Sequence, residues 1–375
     1  MAPECADGRP VSTVETDVRR LAREVLAPLA HAGAPARVNR PLIRALGEHR
    51  LLEPVLPLDG RTSARELCRI REAIAVESPE AETAFACQGL GAHPILLHGR
   101  PEVASRWVTA VVAGDAVAAF ALTEPEAGSD VASLALAAER EGTGWRLTGI
   151  KKWISNAPEA DFYTVFARTT AGAGARGLTA FVVDADAKGV SGRSLSLVAP
   201  HAIGTLELDG VPVPERNVLG AVDGGFKVAM ATLNVFRPSV GAGAVGMAQA
   251  ALDAAVAYTS EREAFGRRLQ EFQGVSHQLA DAAARLEAAR ALVAKAASAY
   301  DEGAGDVPKL SAMAKLVATE TAQQVVDTAI QVHGAAALEA GHVLERLYRD
   351  VRALRIYEGA SEIQREIISR RLYSR

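Results

Sequence analysis

Four short segments of the chain combine hydroxyl, carboxylate, aromatic and cationic side chains at spacings that could support chemistry. The first segment, FALTEPEAGSD at residues 120–130, places Thr123, Glu124 and Ser129 around a Pro-x-x-Gly turn that exposes backbone N–H groups. Such turns are common in polar loops between domains. Amides and hydroxyls in a turn are also suited to hydrogen-bond a heterocycle, so the segment is a candidate binding loop.

The second segment, LTGIKKWISNA at residues 147–157, carries an aromatic ring and a hydroxyl near the end of a predicted strand. Trp153 can stack over a planar ligand while the Ser155 hydroxyl reaches a ring nitrogen. A half-buried tryptophan beside an ordinary β-turn gives the same motif without any ligand. Both interpretations stay open for this segment taken alone.

The third segment, residues 262–273, places a cation and an aromatic ring three residues apart near a helix end. Arg262 and Phe265 can therefore face one ligand, the arginine as a cation and the phenylalanine as an aromatic cover. A solvated helix end is the alternative interpretation.

The fourth segment, residues 348–364, places a carboxylate before a glycine and between two helical stretches. Glu358 follows the apolar pair Ile356 and Tyr357, which could desolvate it. Desolvation raises the pKa of a carboxyl group and makes its anion a stronger base. A solvated loop glutamate is the alternative interpretation.

The elements that position these segments follow from periodicity. Apolar residues recur at helical spacing in the first part of the chain, and β-branched and aromatic runs separated by Gly-rich turns follow. Four alanine-rich helical segments complete the chain, at residues 242–262, 272–302, 309–335 and 344–372.

The sequence therefore predicts an α+β protein that is mostly α. The predicted parts are an N-terminal helical domain at 1–119, a central antiparallel β-barrel domain at 120–222 and a C-terminal four-helix bundle domain at 223–375.

Composition and charge exclude several classes of protein. The 375 residues carry a net charge of −4 with no dense basic run, which argues against a nucleic-acid partner. The longest apolar run, 108–122, contains Asp115 and is too short to span a bilayer, so we expect no membrane association. No export signal is visible, and three cysteines without a CxxC pair indicate a cytoplasmic protein without a metal site.

Taken together and in this order, the segments resemble the acyl-CoA dehydrogenase family of flavoproteins, from about residue 15 to the C-terminus. The resemblance is carried by Thr-Glu-x-x-x-Gly-Ser-Asp at 123–130, Trp-Ile-Ser-Asn at 153–156, Arg-x-x-Phe-Gly at 262–266, Gln-x-x-Gly at 331–334, Glu-Arg-Leu-Tyr-Arg-Asp at 345–350 and Ile-Tyr-Glu-Gly at 356–359. Each motif alone is weak, but their shared order is specific. The family's helix–β–helix architecture is also the one that periodicity predicts.

The resemblance implies a role for each matching residue. Glu358 is implied as the catalytic base, as in the medium- and short-chain enzymes. The residues implied to bind FAD are Phe120, Leu122, Thr123, Ser129, Trp153, Ser155, Arg262, Phe265, Gln273, Gln331, Gly334, Ala360 and Glu362. The residues implied to bind the substrate are Ser129, Asn234, Arg237 and Gly359, of which Gly359 gives its N–H to the thioester carbonyl and the pair Asn234 and Arg237 touches the CoA arm.

The implied reaction is FAD-dependent α,β-dehydrogenation of an acyl thioester to the trans-2-enoyl thioester. Glu358 takes the α-proton, a hydride passes to FAD, and the electrons continue to an electron-transfer flavoprotein or a similar acceptor. Since Arg262 and Gln331 match residues that serve a neighbouring subunit's FAD, a homotetramer built as a dimer of dimers is expected. The alternatives are a flavin-dependent oxidase or monooxygenase relative, and a non-catalytic FAD-binding scaffold subunit.

The chain departs from the family pattern at three places. Ala335–Ala337 stand where the second signature is Gly-rich, Asn234 stands in place of an aspartate, and Ala360 stands in place of a threonine or serine. The usual Pro-x-x-x-Gly-Gly-x-Gly loop is also missing after Leu51. Such departures suit members that act on acyl carrier protein substrates in secondary metabolism, and they leave chain length, branching and the choice between CoA and carrier protein open.

Overall fold

The computed structural model describes residues 17–373, which group into two compact units. The helical unit takes in residues 17–27, 63–82 and 234–373, and the sheet unit takes in residues 28–62 and 83–233. Both units are therefore built from segments that are distant in the chain. The three-domain division at residues 119 and 222 stays a prediction.

The described chain is mostly helical, with a β region in its middle, as the sequence predicts. Its α-helices are α1 (Ala27–Ala32), α2 (Arg40–Glu48), α3 (Ala64–Glu77), α4 (Pro79–His98), α5 (Pro101–Val112), α6 (Gly225–Glu261), α7 (Gln273–Glu302), α8 (Val307–His333), α9 (Val343–Leu354) and α10 (Ser361–Tyr373). A π-helical stretch, Ala22–Leu26, precedes α1.

Helix α8 is the centre of the helical unit. Helices α7, α9 and α10 all pack against it, and α3 packs against α7. The predicted helices at 272–302 and 309–335 are confirmed. The predicted helix at 344–372 is two helices, α9 and α10, because Glu358 and Gly359 adopt left-handed φ values of 53° and 94° that a helix cannot contain.

Local chemistry fixes where the helices of this unit begin and end. The Ser63 hydroxyl accepts a hydrogen bond from the Glu66 N–H at 3.2 Å at the start of α3, and Asp306 accepts one from the Lys309 N–H at 3.3 Å at the start of α8. Gly303, at φ 62°, ends α7.

The strands of the sheet unit are β1 (Ala118–Ala121), β2 (Ala137–Glu141), β3 (Gly144–Ser155), β4 (Phe162–Arg168), β5 (Leu178–Asp184), β6 (Val190–Ser191), β7 (Ile203–Pro214) and β8 (Val218–Leu219). They form one sheet in the order β6-β7-β3-β2-β4-β5-β8, and β1 pairs with β4. Most pairs are antiparallel, but β1 and β2 pair with β4 in parallel.

The predicted β-barrel is wrong, because this sheet is open. Its two end strands, β6 and β8, do not pair with each other, and each contains only two residues. Strands of that length offer too few backbone groups to close a ladder across the gap. The sheet buries instead a hydrophobic core around Leu147, Val165 and Phe181.

Helix α6 is, by length and composition, the one helix among residues 17–373 that is apolar enough to cross a membrane. In the fold, 61% of its most apolar window is buried. Such burial is typical of a core helix in a folded protein, whose apolar faces are covered by other parts of the chain. No group of three or more metal-ligating side chains occurs in the described part of the chain.

Candidate functional site

The first candidate segment is a loop anchored by a buried carboxylate in the sheet unit. Glu124 is 5% exposed and accepts hydrogen bonds from the Ala135 N–H at 2.7 Å and the Leu136 N–H at 3.0 Å. The ammonium group of Lys151 donates to Glu124 Oε1 at 2.8 Å and to the Leu122 carbonyl at 2.9 Å. Glu124 is therefore a structural anchor of the loop and is not available as a solvent-facing base.

Lys151 lies on β3 and is fully buried beneath this loop. Burial lowers the pKa of Lys151 to about 8, although Glu124 acts in the opposite direction. The hydrogen bonds from this buried ammonium to the Leu122 carbonyl and the Glu124 carboxylate hold the loop against β3. Of the other predicted residues of the loop, Ser129 is exposed and Thr123 is half-buried.

The second candidate segment lies at the end of β3. A register shift between Lys152 and Ile154 puts Trp153 at φ 58°, so its ring leaves the core and is 45% exposed. The Lys152 ammonium lies 4.7 Å from the centre of that ring. Trp153 is thus displayed as an accessible aromatic face, and a side chain at a positive φ needs support from its surroundings.

Two further predicted residues of the sheet unit lie near the same strand ends. Phe120, on β1, packs its ring 5.0 Å from that of Phe166. The Ser155 hydroxyl lies 2.8 Å from Nε2 of His201, a residue that no sequence motif indicates. Burial lowers the pKa of His201 to about 4, so its imidazole is neutral at physiological pH.

The third candidate segment is a small hairpin on the helical unit. Strands β9 (Glu263–Ala264) and β10 (Arg267–Arg268) pair across a turn at Phe265 and Gly266, both at positive φ. The Phe265 side chain is 95% exposed at the tip. Arg262 and Gln273, at the two ends of this segment, are also exposed. These side chains are exposed, as a contact with another molecule requires.

Gln331 and Gly334 lie at the exposed end of α8, where Gly334 ends the helix at φ 68°. A Cβ added at Gly334 would meet nothing within 4 Å, so the backbone there is open to approach. Of the alanines that replace the expected glycines, Ala337 is buried in a 3-10 turn, whereas Ala335 and Ala336 are exposed. The added methyl groups therefore border the open side of this helix end.

The fourth candidate segment is the left-handed break between α9 and α10. Three buried side chains hold its backbone: Arg237 donates to the Glu358 carbonyl at 3.1 Å, Lys315 donates to the Gly359 carbonyl at 2.8 Å, and Gln364 donates to both carbonyls at 3.2 and 2.8 Å. The N–H of Gly359 is antiparallel to the Glu358 carbonyl in the trans peptide, so it points away from Arg237. Neither Glu358 nor Gly359 gives its N–H to any residue between 17 and 373.

Glu358 is half-buried, and the fold encloses its carboxylate oxygen Oε2. Its Oε2 atom has no hydrogen-bond partner among the described residues. Burial raises the pKa of Glu358, and the cations of Arg71, Arg237 and Lys315 oppose the rise. An enclosed carboxylate with a free lone pair is suited to accept a proton.

A buried ion pair lies behind this carboxylate. Arg71 is 1% exposed and contacts the fully buried Glu82 through Nε at 2.5 Å, and its Nη1 donates to the Ser239 hydroxyl at 2.7 Å. The three donors to the break therefore come from three helices, with Arg237 on α6, Lys315 on α8 and Gln364 on α10. Helix α3 adds the cation of Arg71.

The structure brings together some of the predicted residues of the helical unit and separates others. Glu358, Gly359 and Arg237 are in contact, whereas Asn234 uses its backbone carbonyl to accept from the Ser311 hydroxyl at 2.7 Å. Ala360 is half-buried next to the break, and Glu362 is exposed on α10. The predicted contact of Arg237 with a CoA arm stays a prediction, since its Nε is committed to Glu358.

Sequence reasoning missed two of the three cations that surround Glu358, namely Lys315 and Arg71. Lys315 lies between Ala314 and Leu316 on α8, and Arg71 follows Ile70 on α3. A charged residue at the apolar spacing of a helix was a signal for a buried, partnered cation in both cases. Gln364 and His201 had no comparable signal.

Three models of one family match the chain in order: an N-terminal domain at 12–115, a middle domain at 119–211 and a C-terminal domain at 223–373 of acyl-CoA dehydrogenases. The chain belongs to the acyl-CoA dehydrogenase family. It is accordingly an FAD-dependent oxidoreductase that acts on the CH–CH group of an acyl-CoA substrate.

Similar proteins cover three quarters or more of the chain. It is 35% identical to a cyclohexane-1-carbonyl-CoA dehydrogenase of Geobacter metallireducens over 96% of this chain and 97% of that one. It is 39% identical to the caffeyl-CoA reductase-Etf complex subunit CarC of Acetobacterium woodii over 75% of this chain and 74% of that one. An FAD complex of PigA matches with a TM-score of 0.92 at 25% identity, covering 99% of both chains.

The cofactor of this acyl-CoA dehydrogenase is FAD, and the donors of each unit fit it. In the sheet unit, the N–H groups of Glu126, Gly128 and Ser129 have no backbone partner among the described residues and are available to a heterocycle. In the helical unit, exposed Arg262 is a planar cation that matches a pyrophosphate. The backbone beside Gly334 is open to a nucleotide's approach.

Proposed function

We propose that this enzyme removes the α-proton of an acyl thioester with Glu358 as the catalytic base. The observation that carries the proposal is that Oε2 of Glu358 is buried and has no hydrogen-bond partner among the described residues. Three side chains hold the backbone of this segment by hydrogen bonds to the carbonyls of Glu358 and Gly359. Bound FAD supplies the acceptor for the β-hydrogen as a hydride. All other requirements of the reaction fall on the residues of the chain.

Glu358 needs a pKa that is high enough to take a weakly acidic proton and low enough to be ionised before the reaction. Burial raises it, and Arg71, Arg237 and Lys315 limit that rise. The free N–H of Gly359 can donate to the thioester carbonyl, where negative charge develops as the α-proton leaves. Because side chains anchor the Glu358 carbonyl, this N–H is oriented before the substrate binds.

We propose that the substrate is an acyl thioester of CoA or of an acyl carrier protein, in a pathway of secondary metabolism. The departures from the family pattern at Asn234 and Ala360 support a substrate that differs from common acyl-CoA esters. An electron-transfer flavoprotein or similar acceptor would receive the electrons. The relative from Acetobacterium woodii, a subunit of a caffeyl-CoA reductase-Etf complex, supports this part of the proposal.

We further propose a cytoplasmic homotetramer of two dimers, with the three-domain division predicted above. The matched family segments at 12–115, 119–211 and 223–373 support that division. The exposed hairpin tip at Phe265 and the exposed Arg262 support an FAD that is shared between subunits. The implied FAD contacts of residues 120–129 and 153–155 belong to this proposal too.

The substitution Glu358→Gln tests the proposed base. It keeps the size of the side chain and removes its ability to accept a proton, so anaerobic bleaching of the flavin by an acyl thioester should slow by at least about three orders of magnitude. FAD content and the folded state should be unchanged. Glu339→Gln is the matched control, because Glu339 is an exposed glutamate of the same unit.

The substrate is found by screening a panel of acyl-CoA and acyl carrier protein thioesters in the same assay. A bleaching rate of Glu358→Gln within a few-fold of the wild type would show that another group is the base. A yellow protein that no thioester bleaches would favour an oxidase or monooxygenase. A protein that takes up no FAD would contradict the proposed function altogether.

A further inference from the structure

The contact between Ser155 and His201 is fixed by the backbone of the sheet unit. Ser155 pairs with Ile203 at the end of the β3–β7 ladder. One residue further on, the Asn156 N–H donates to the Ala202 carbonyl at 2.8 Å, and the Asn156 side chain donates to the Ala118 carbonyl at 2.8 Å. The segment that carries His201 is therefore held opposite Ser155, with 2.8 Å between the hydroxyl and Nε2.

The imidazole of His201 is neutral in this position. Burial lowers its pKa to about 4, far below physiological pH. A neutral imidazole has one N–H donor and one acceptor nitrogen, and the tautomer decides which of them is Nε2. His201 can therefore either accept the hydroxyl proton of Ser155 or donate a proton to its oxygen.

The two tautomers leave Ser155 with opposite capacities toward a second partner. When Nε2 accepts, the Ser155 proton is used and the hydroxyl presents lone pairs only. When Nε2 donates, the hydroxyl keeps its proton for another acceptor. A flavin ring nitrogen accepts hydrogen bonds in the oxidised ring, and the nitrogen that gains hydrogen on reduction becomes a donor, so each tautomer matches one redox state.

We propose that His201 is a positioning residue that sets the direction of the Ser155 hydroxyl toward the flavin. The proposal rests on the proposed function, specifically on Ser155 lying beside the reactive edge of the ring. His201 acts through Ser155, the residue that its Nε2 contacts at 2.8 Å.

The test measures the flavin directly, in the absence of substrate. The two-electron midpoint potential and the absorption spectrum of the bound FAD are compared in wild type, Ser155→Ala, His201→Phe and the double variant. An ordinary hydrogen bond corresponds to a factor of about 3 to 10 in an equilibrium. Each single variant should change the equilibrium between oxidised and reduced flavin by such a factor, which is about 15 to 30 mV for two electrons.

The double variant is decisive, because a residue that acts through Ser155 has no effect once that hydroxyl is gone. The double variant should match Ser155→Ala alone. His201→Gln keeps a side-chain donor and acceptor and should recover at least half of the shift. His31→Phe, which replaces an exposed histidine of the same unit, is the control and should leave the potential unchanged.

Equal shifts from His201→Phe with and without Ser155 would overturn the proposal, as would an unchanged potential in His201→Phe. Should that variant retain too little FAD, His201→Leu replaces it in the same cycle. These outcomes differ from a failure of the proposed function, since the wild-type flavin would still be bleached by an acyl thioester.

Discussion

Replacing Lys315 by methionine should change stability little and change catalysis clearly. Lys315 is fully buried and its ammonium binds the Gly359 carbonyl at 2.8 Å, so its loss removes a charge-assisted hydrogen bond of about 1.5–3 kcal/mol. Against this, burial lowers the pKa of Lys315 from 10.5 to about 8. At about 1.4 kcal/mol per pKa unit, keeping this ammonium charged in the fold costs about 3 kcal/mol at pH 7.

The two contributions nearly cancel, so Lys315→Met should alter the free energy of unfolding at pH 7 by less than about 1.5 kcal/mol. The sign of the pH dependence follows from proton binding. Between about pH 8 and 10.5 the unfolded chain keeps the lysine proton while the folded protein releases it, so wild-type stability rises with pH in that window. At pH 9.5 the variant should therefore be less stable, relative to wild type, than at pH 7, by about 2 kcal/mol.

Denaturant unfolding of both proteins in excess FAD at the two pH values measures this difference. Lys295→Met, at an exposed position on α7, is the matched control. In the same variant, Glu358 loses one of the three cations that lower its pKa, so the pH profile of flavin reduction should move to higher pH. A loss of more than about 4 kcal/mol at pH 7, or a difference independent of pH, would refute the reasoning.

Three further predictions concern other parts of the molecule. Arg262→Ala should weaken FAD retention through gel filtration at least tenfold, since a cation–pyrophosphate contact contributes about 1.5–3 kcal/mol, and equal retention would contradict the assignment. Light scattering should give a tetramer, and a monomer with full FAD occupancy would contradict the shared site. Arg71→Met should lower the free energy of unfolding by about 3–5 kcal/mol, because Glu82 stays buried without its guanidinium. Circular dichroism melting compares that variant with Arg71→Met/Glu82→Gln, which should recover part of the loss.

Much of the helical part of the fold was predictable from local sequence. The helices predicted at 272–302 and 309–335 are observed at Gln273–Glu302 and Val307–His333, because caps such as Gly303 and Asp306 act within one turn of the helix end. The sequence predicted that the middle region forms a β-sheet, but it did not reveal that this sheet stays open. Closure depends on the length of the edge strands, and the two-residue strands at 190–191 and 218–219 have no periodicity to read.

Site residues that belong to a recognisable motif were predictable from the sequence. Site residues that reach the site through tertiary packing were not. Glu358 and Trp153 stand in recognisable segments, although the left-handed backbone at both positions has no sequence signature in a glutamate or a tryptophan. Lys315 and His201 contact the site from segments 43 and 46 residues away along the chain from Glu358 and Ser155. Such contacts follow from tertiary packing, which single-sequence patterns do not contain.

The left-handed backbone of Glu358 also bears on why a glutamate is there at all. At φ 53° a residue with a Cβ costs about 1–2 kcal/mol more than glycine does. Its buried carboxylate adds a desolvation cost that glycine would not carry. If mutation were free to optimise folding alone, glycine would replace glutamate here, so a chain released from catalytic selection would drift away from this residue. A glutamate at a site where the fold penalises it is the residue expected of a working enzyme, not of a silent scaffold.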